Sequence, residues 1–334
     1  MNSPSINRRT ALLGAAAFGL AVRNASAQST PEAAGFPVTV EHLYGSTTVE
    51  DAPQRVLTVG WSAQDAAIAL GVVPIAIPAD TWAGDADGFL PWTRAAIGDA
   101  ELPTTYEALE GLPFEDFIEL TPDLILAPYS GVTGDDYAIL AEIAPTIAPT
   151  EGLWSASWQQ MTLEVGTALG MAAAAEALIE QTDATVQEGA AAYPELAGKT
   201  YIYGNMGDGT SSFNIYTVSD PRPQFLESIG LVPSDVVLEI SDDSNNVYFG
   251  AVSYELAETL VADITVFWFT DEAEFEAAQK TEYFQALPAA KNGTLAAIIG
   301  RELVMATSAF SPLSIPFALD AFLPILAEAA ANVG

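Results

Sequence analysis

The sequence predicts an α/β protein of two lobes, each with a central, mostly parallel sheet, joined by a single long helix. Three observations lead there. Short apolar strands alternate with helical segments on both sides of the chain's midpoint, the pattern of parallel α/β units. Residues 157–193 contain no proline and are dense in helix formers such as Met161, Leu169, Met171 and Ala172 to Ala175, which predicts one helix with a possible bend at Gly166 or Gly170. Glu115 precedes Asp123 by eight residues, Glu255 precedes Asp263 by eight, and an apolar strand follows each aspartate, so the halves repeat a local feature. The expected division is an N-terminal lobe over 37–156, the connecting helix over 157–193 and a C-terminal lobe over 194–334.

The first 27 residues read as an export signal. Arg8-Arg9 precedes a mildly apolar run from Ala11 to Val22, which ends at the small-residue site Ala25-Ser26-Ala27. This is the twin-arginine pattern, and its apolar run falls short of the ~20 residues that span a bilayer. No later segment is expected to span. A Ser/Pro/Ala-rich lead-in occupies 28–36, and residues 38–44 and 47–50 alternate around Gly45-Ser46 as a hairpin. A buried strand over 56–60, a helix ending before Gly71 and a strand over 73–77 form the first α/β unit. Residues 78–108 read as one long irregular loop, rich in Trp, Gly and Asp, a common place for a binding wall. A helix over 113–120 is broken by Thr121-Pro122, a strand runs over 124–127, and a short helix and short strand complete the lobe.

Beyond the long helix, a strand over 199–203 leads into Gly204-Asn205-Met206-Gly207-Asp208-Gly209. That loop lacks a P-loop lysine and a dinucleotide fingerprint, and it reads as a turn lining a cleft. Asp220-Pro221-Arg222-Pro223 opens a helix to residue 229, and another starts near Tyr254. Strands are expected over 264–269 and 294–299, and an amphipathic helix over 314–330 closes the chain.

Composition limits the chemistry. There is no cysteine, which removes disulfides, thiolate metal sites and a lipidated cysteine anchor. The one histidine, His42, lies in the first hairpin and is expected to be structural; no Gly-x-Ser-x-Gly elbow occurs, so no catalytic residue and no metal ligand is expected. Net charge is −34; loss of the three signal arginines leaves seven basic residues against 44 acidic, or −37. Such a field opposes contact with nucleic acid and fits a high-salt habitat, where it is screened. What remains is aromatic side chains at strand ends and a few scarce cations. The candidate ligand contacts are Trp61, Trp82, Trp92, Arg94, Tyr129, Trp154, Tyr216, Arg222, Trp268 and Arg301.

The runs Glu41-His42-Leu43-Tyr44-Gly45-Ser46-Thr47-Thr48-Val49 and Ala52-Pro53-Gln54-Arg55-Val56-Leu57, then Gln64-Asp65, closely resemble the opening of periplasmic iron-siderophore-binding proteins of ABC importers. Leu120-Thr121-Pro122-Asp123-Leu124-Ile125-Leu126 and Ser311-Pro312-Leu313-Ser314-Ile315-Pro316 fit the same family. The resemblance implies a non-enzymatic, monomeric periplasmic receptor. It would hold a ferric siderophore in a shallow cleft, carry no covalent cofactor and close only slightly. It also implies delivery to an ABC permease dimer in the inner membrane, docked through one acidic residue per lobe at the matching positions Glu115 and Glu255. Relatives that hold anionic catecholate complexes use several arginines, and those that hold neutral hydroxamate complexes lean on tryptophan and tyrosine. Haem or cobalamin capture on the same scaffold, or an exported hydrolase, are the alternative readings, and an acidic adhesion protein is a third class.

Overall fold

The structure, a computed structural model, describes residues 35–334 except 109–110, 208, 210 and 244–247. The expected signal sequence lies outside the described residues, as does most of the lead-in. The hairpin pairs β1 (Val38–His42) with β2 (Gly45–Val49), antiparallel, with His42 opposite Gly45. Its turn is Leu43-Tyr44, two residues earlier than Gly45-Ser46. Tyr44 is held there by its hydroxyl on the Val132 carbonyl and its ring against Tyr137. His42 is buried, with Nε2 2.9 Å from Thr47 Oγ1.

The first sheet contains β3 (Val56–Thr58), β4 (Ala76–Pro78), β5 (Thr104–Tyr106), β6 (Leu124–Leu126) and β7 (Thr146–Ile147), all parallel, in the order β5-β4-β3-β6-β7. Around it lie α1 (Ala63–Ala69), α2 (Pro91–Ile97), α3 (Phe114–Leu120) and α4 (Gly134–Ile143). Alternate strand residues point to opposite faces. Val56, Leu124 and Leu126 therefore pack with α1 and the hairpin, while Leu57 and Ile125 pack with Phe117 of α3 and Leu140 of α4. The expected irregular loop over 78–108 contains α2 and the edge strand β5. Elements this short carry little intrinsic propensity, and burial stabilises them: Pro91 sits at the first position of α2, and Trp92 packs against Phe317 with ring centroids 5.2 Å apart.

The helix expected over 157–193 is two helices, α5 (Trp158–Ala168) and α6 (Ala172–Ala191). Gly170, at φ +68°, ends α5 in a Schellman motif: Met171 N–H donates to Gly166 O at 2.6 Å and Gly170 N–H to Thr167 O at 2.9 Å. The chain then turns back on itself. Gln159 Nε2 reaches Asp183 Oδ1 at 3.2 Å, and a Cβ on Gly166 would lie 2.3 Å from that of Ala175. No straight helix brings residues 24 positions apart into contact. The stretch is thus an antiparallel helical hairpin. α5 packs in the first core through Met161 and Val165, and α6 packs in the second through Val186. The chain then reaches the second sheet through α6, and Trp158 at the start of α5 also packs in the second core.

The second sheet is mixed: β8 (Thr200–Asn205), β9 (Ser212–Tyr216), β10 (Val232–Pro233), β11 (Phe249–Ser253), β12 (Ile264–Phe269) and β13 (Leu295–Ile299). Its order is β11-β9-β8-β12-β13, with β10 beside the start of β8; β9 and β11 run antiparallel to their neighbours. Gly207, in the connection from β8 to β9, lies among the described residues of the glycine-rich run. Gly207 is at φ +60°, and a Cβ there would lie 2.2 Å from Ser212 O. Around this sheet lie α7 (Pro221–Ser228), α8 (Asp235–Asp243), α9 (Glu272–Gln279), α10 (Glu282–Ala286), α11 (Pro288–Asn292), α12 (Arg301–Ala306) and α13 (Ser314–Ala331). The helix expected near Tyr254 is a 3-10 segment, Tyr254–Thr259. By length and composition α13 is long and apolar enough to cross a membrane, against the expectation of none after Val22, but its buried side, including Phe322 and Leu326, packs into the second core.

The repeated aspartates have one structural role. Asp123, just before β6, accepts the backbone N–H groups of Gln54 and Arg55 at 2.8 Å, beside the start of β3. Asp263, just before β12, accepts Thr200 N–H at 2.8 Å at the start of β8. Each carboxylate ties the beginnings of two neighbouring parallel strands, in register with Val56 opposite Leu124 and Tyr201 opposite Ile264.

Candidate functional site

The strand order of the first sheet reverses between β3 and β6, and the loops leaving these strands meet there. Open α/β sheets bind ligands beyond the carboxyl ends of strands at such a switch point. Gly60, at φ +87°, makes the approach possible, since a Cβ would fall 2.3 Å from Tyr129 O. Trp61 N–H donates to that carbonyl at 2.9 Å, and the Trp61 ring stands 40% exposed. Trp154 lies 5.3 Å from Trp61 and 5.6 Å from the buried Tyr129, completing an aromatic corner. Burial pushes the Tyr129 hydroxyl pKa up, so it stays a neutral donor. From the loop after β4, Asp80 Oδ1 accepts Trp82 N–H at 3.0 Å and Ala83 N–H at 2.7 Å, fixing Trp82 at the rim.

The second lobe faces this wall with Trp268 of β12, whose ring lies edge-on to Trp82 at 6.3 Å. Trp268 Nε1 donates to the Tyr216 hydroxyl at 3.0 Å, and Asn205 donates to the same oxygen. Arg222 lies 3.6 Å over the Tyr216 ring. Its Nε and Nη2 donate to Oδ1 and Oδ2 of the buried Asp220 at 2.7 and 2.6 Å, a two-pronged pair. Arg301 lies 5.7 Å over Trp82 from the second lobe. A cavity of about 310 Å³ is lined by Trp61, Asp80, Trp82, Arg222, Trp268 and Met305. A second of about 390 Å³ is lined by Trp61, Leu112, Val132, Asp136 and Trp154. Trp61 borders both. An open groove of about 590 Å³ beside Trp82 holds Arg301 and Phe317.

The structure therefore brings Trp61, Trp82, Trp154, Trp268 and Arg222 to the cleft, with Arg301 at its edge and Tyr129 and Tyr216 behind the walls. It does not bring Trp92 or Arg94 there. Trp92 is buried in the packing of α2, with Nε1 donating to Asp65 at 2.7 Å. Arg94 pairs with Asp85 at 2.5 Å and Asp87 at 2.6 Å on the surface. The large loop that suggested both residues folds into a helix whose buried face holds Trp92.

Sequence reasoning missed Asp220, although its place two residues before Arg222 was a local signal. It also missed the joint between the lobes. Asp65 of α1 accepts Thr93 Oγ1 at 2.7 Å and, from the other lobe, Ser311 Oγ at 2.8 Å, in addition to Trp92. Ser62 Oγ donates to Ala309 O at 3.1 Å beside it. Burial pushes the Asp65 carboxyl pKa up, against the pull of these three hydrogen bonds. The Tyr248 hydroxyl donates to the Leu153 carbonyl of the other lobe. Glu115 opens α3 and Glu255 opens the 3-10 segment; both are exposed.

Two α/β lobes that face each other over an aromatic-walled cleft define a two-lobed ligand receptor. The chain belongs to the periplasmic binding protein family, whose model matches residues 56–299. It is similar to PiaA of Streptococcus pneumoniae TIGR4, solved in complex with ferrichrome: 32% identity, TM-score 0.81, covering 89% of this chain and 100% of that one. It is also similar to a periplasmic solute binding protein from Mycobacterium smegmatis, at 27% identity and TM-score 0.76, covering 88% and 99% of the two chains. The Fe(3+) dicitrate-binding periplasmic protein FecB of Escherichia coli is 29% identical over 203 residues, 59% of this chain and 62% of the relative's length.

Proposed function

We propose that this protein is a non-enzymatic receptor that captures a ferric siderophore outside the cytoplasmic membrane and passes it to an ABC permease dimer. The observation that carries the reading is the cleft itself: Trp61, Trp82 and Trp268 from both lobes enclose one cavity with Arg222 in its wall. Rigid aromatic faces offer large apolar area at low entropic cost, which suits the organic shell of an iron chelate. The similarity to PiaA and to FecB supports the same ligand class. Trp61, Trp82, Trp154, Trp268, Arg222 and Arg301 are the proposed contacts, with Tyr129 and Tyr216 as their support. Glu115 and Glu255 are the proposed docking points, one per lobe, for cationic side chains of the permease. Export by the twin-arginine route, as a monomer without a lipid anchor, completes the reading.

The test is quenching of intrinsic tryptophan fluorescence by a panel of ferric siderophores and by haem and cobalamin. Saturable quenching by at least one ferric siderophore is expected. Quenching by haem or cobalamin alone would replace this reading with the alternative cargo.

A further inference from the structure

We infer that the ferric complex this cleft accepts carries no net negative charge, being a hydroxamate-type chelate that is neutral or bears a protonated amine. The inference rests on the siderophore reading above and narrows it. Its basis is an account of the cations. The described residues include seven basic side chains, and only Arg222 lines either cleft cavity. Its charge is already matched by Asp220, which is 1% exposed and takes two of its N–H groups. The remaining N–H groups of Arg222 are free to donate to a ligand oxygen, but the pair adds no net positive charge. Asp80 and Asp136 stand in the cavity walls, so the lining carries more negative than positive charge. In the outer groove Arg301 is offset by its neighbour Glu302. Beyond the cleft the whole chain stands at −34.

Iron(III) bound by three hydroxamates is neutral, because each group contributes one negative charge. Bound by three catecholates it is triply negative, and its dicitrate complex is also anionic. A negative complex would enter this site against like charge with no uncompensated cation to receive it. A neutral chelate loses nothing to that field, and an ammonium group gains from Asp80 or Asp136 and from the faces of Trp61, Trp82 and Trp268. This sets the chain apart from its relative named for Fe(3+) dicitrate.

The experiment titrates the purified protein with ferrioxamine B, ferrichrome, a ferric tricatecholate and ferric dicitrate at low and at molar salt, following tryptophan quenching. The two hydroxamates are expected to bind about 100-fold tighter than either anionic complex at low salt, and the gap narrows as salt screens the field. A tricatecholate or dicitrate that binds as tightly as ferrichrome overturns the inference and leaves the siderophore reading standing. Quenching by none of the four sinks that reading itself. A second arm uses the Asp80→Asn, Asp136→Asn double variant, which keeps an acceptor oxygen for each local hydrogen bond. The affinity for dicitrate relative to that for ferrichrome should rise about tenfold in it. Unchanged discrimination in that variant would show that wall charge is not the cause.

Discussion

The two lobes contain the same kind of residue put to different uses. In the first lobe Arg94 pairs with Asp85 and Asp87 on the surface, with Arg94 and Asp85 side chains 34% and 39% exposed. In the second, the Arg222 and Asp220 side chains are 18% and 2% exposed, with Arg222 in the cleft wall and Asp220 behind it. The first pair sits in water and holds only its own loop. The second is a desolvated unit whose two charges must be present together. The lobes also divide the cleft chemistry, because the first supplies Trp61, Trp82 and Trp154 from loops, while the second supplies Trp268 and Arg222 from a strand and a helix start.

That contrast is tested most severely by removing one acid from the second lobe. Asp220→Ala leaves Arg222 without its partner, and a loss of about 3 kcal/mol of unfolding free energy is expected from urea denaturation. Arg94→Ala should leave the urea midpoint unchanged. Equal losses from the two changes would erase the distinction between a structural pair and a surface one.

The joint between the lobes comes next in size. Asp65→Asn disturbs three hydrogen bonds to a buried carboxylate and is expected to cost about 2 kcal/mol. It should also change the pH profile. A carboxyl pKa raised in the folded state means that the native protein holds the proton more tightly than the unfolded chain does. The corresponding stability is full at or below the ordinary pKa near 4 and is lost as pH rises through the raised value. Glu164, also raised by burial, acts in the same direction. The Asp65 and Glu164 contributions should therefore lower urea midpoints as pH rises above about 4, and the Asp65→Asn slope should be shallower. An unchanged slope would remove Asp65 from the account. His42, lowered by burial, works in the opposite sense, destabilising as pH drops below its ordinary value of 6.5.

A smaller effect tests what the lobes share. Asp263→Ala should cost about 1 kcal/mol, through the lost link from the start of β12 to Thr200 at the start of β8. Asp123→Ala should cost somewhat less, because its bonds to Gln54 and Arg55 are exposed. Hydrogen exchange at Arg55 and Thr200 localises each loss, and protection retained at both would break the equivalence of the two aspartates. Smallest in the isolated protein are Glu115→Lys and Glu255→Lys, exposed changes within about 0.5 kcal/mol of neutral. They should leave siderophore affinity intact and lower transport; lost affinity in the purified variants would refute a docking role.

Much of the scaffold was legible because its signals are local. The buried strands Val56–Thr58, Leu124–Leu126 and Ile264–Phe269 are short apolar runs bounded by breakers, and the α/β alternation around them predicts the sheets. The short elements α2, β5 and β10 carry weak local preferences and form because the rest of the protein covers them. The helical hairpin is more instructive. Summed propensity over 157–193 predicts one rod, yet Leu169-Gly170 offers a left-handed C-terminal cap, and Gly166 has no side chain and Ala175 only a methyl to keep the helices apart. Two packed helices bury more than one extended helix, and that gain outweighs a run of alanines. At the site, position after a strand was a good guide for Trp61 and Tyr129. It failed for Trp92, whose indole serves a buried carboxylate.

By itself the sequence determined the α/β class, the paired aspartates that start β6 and β12, and the scarcity of cations, which no folding can change. Each follows from local periodicity, local hydrogen-bonding capacity or simple count. Only the tertiary structure decided that Asp220 offsets Arg222, that Asp65 meets Ser311 across 246 positions of sequence, and that residues 157–193 fold into a helical hairpin rather than one rod. These depend on which surfaces meet, and burial strengthens an electrostatic or packing preference only after the chain has brought its partners together.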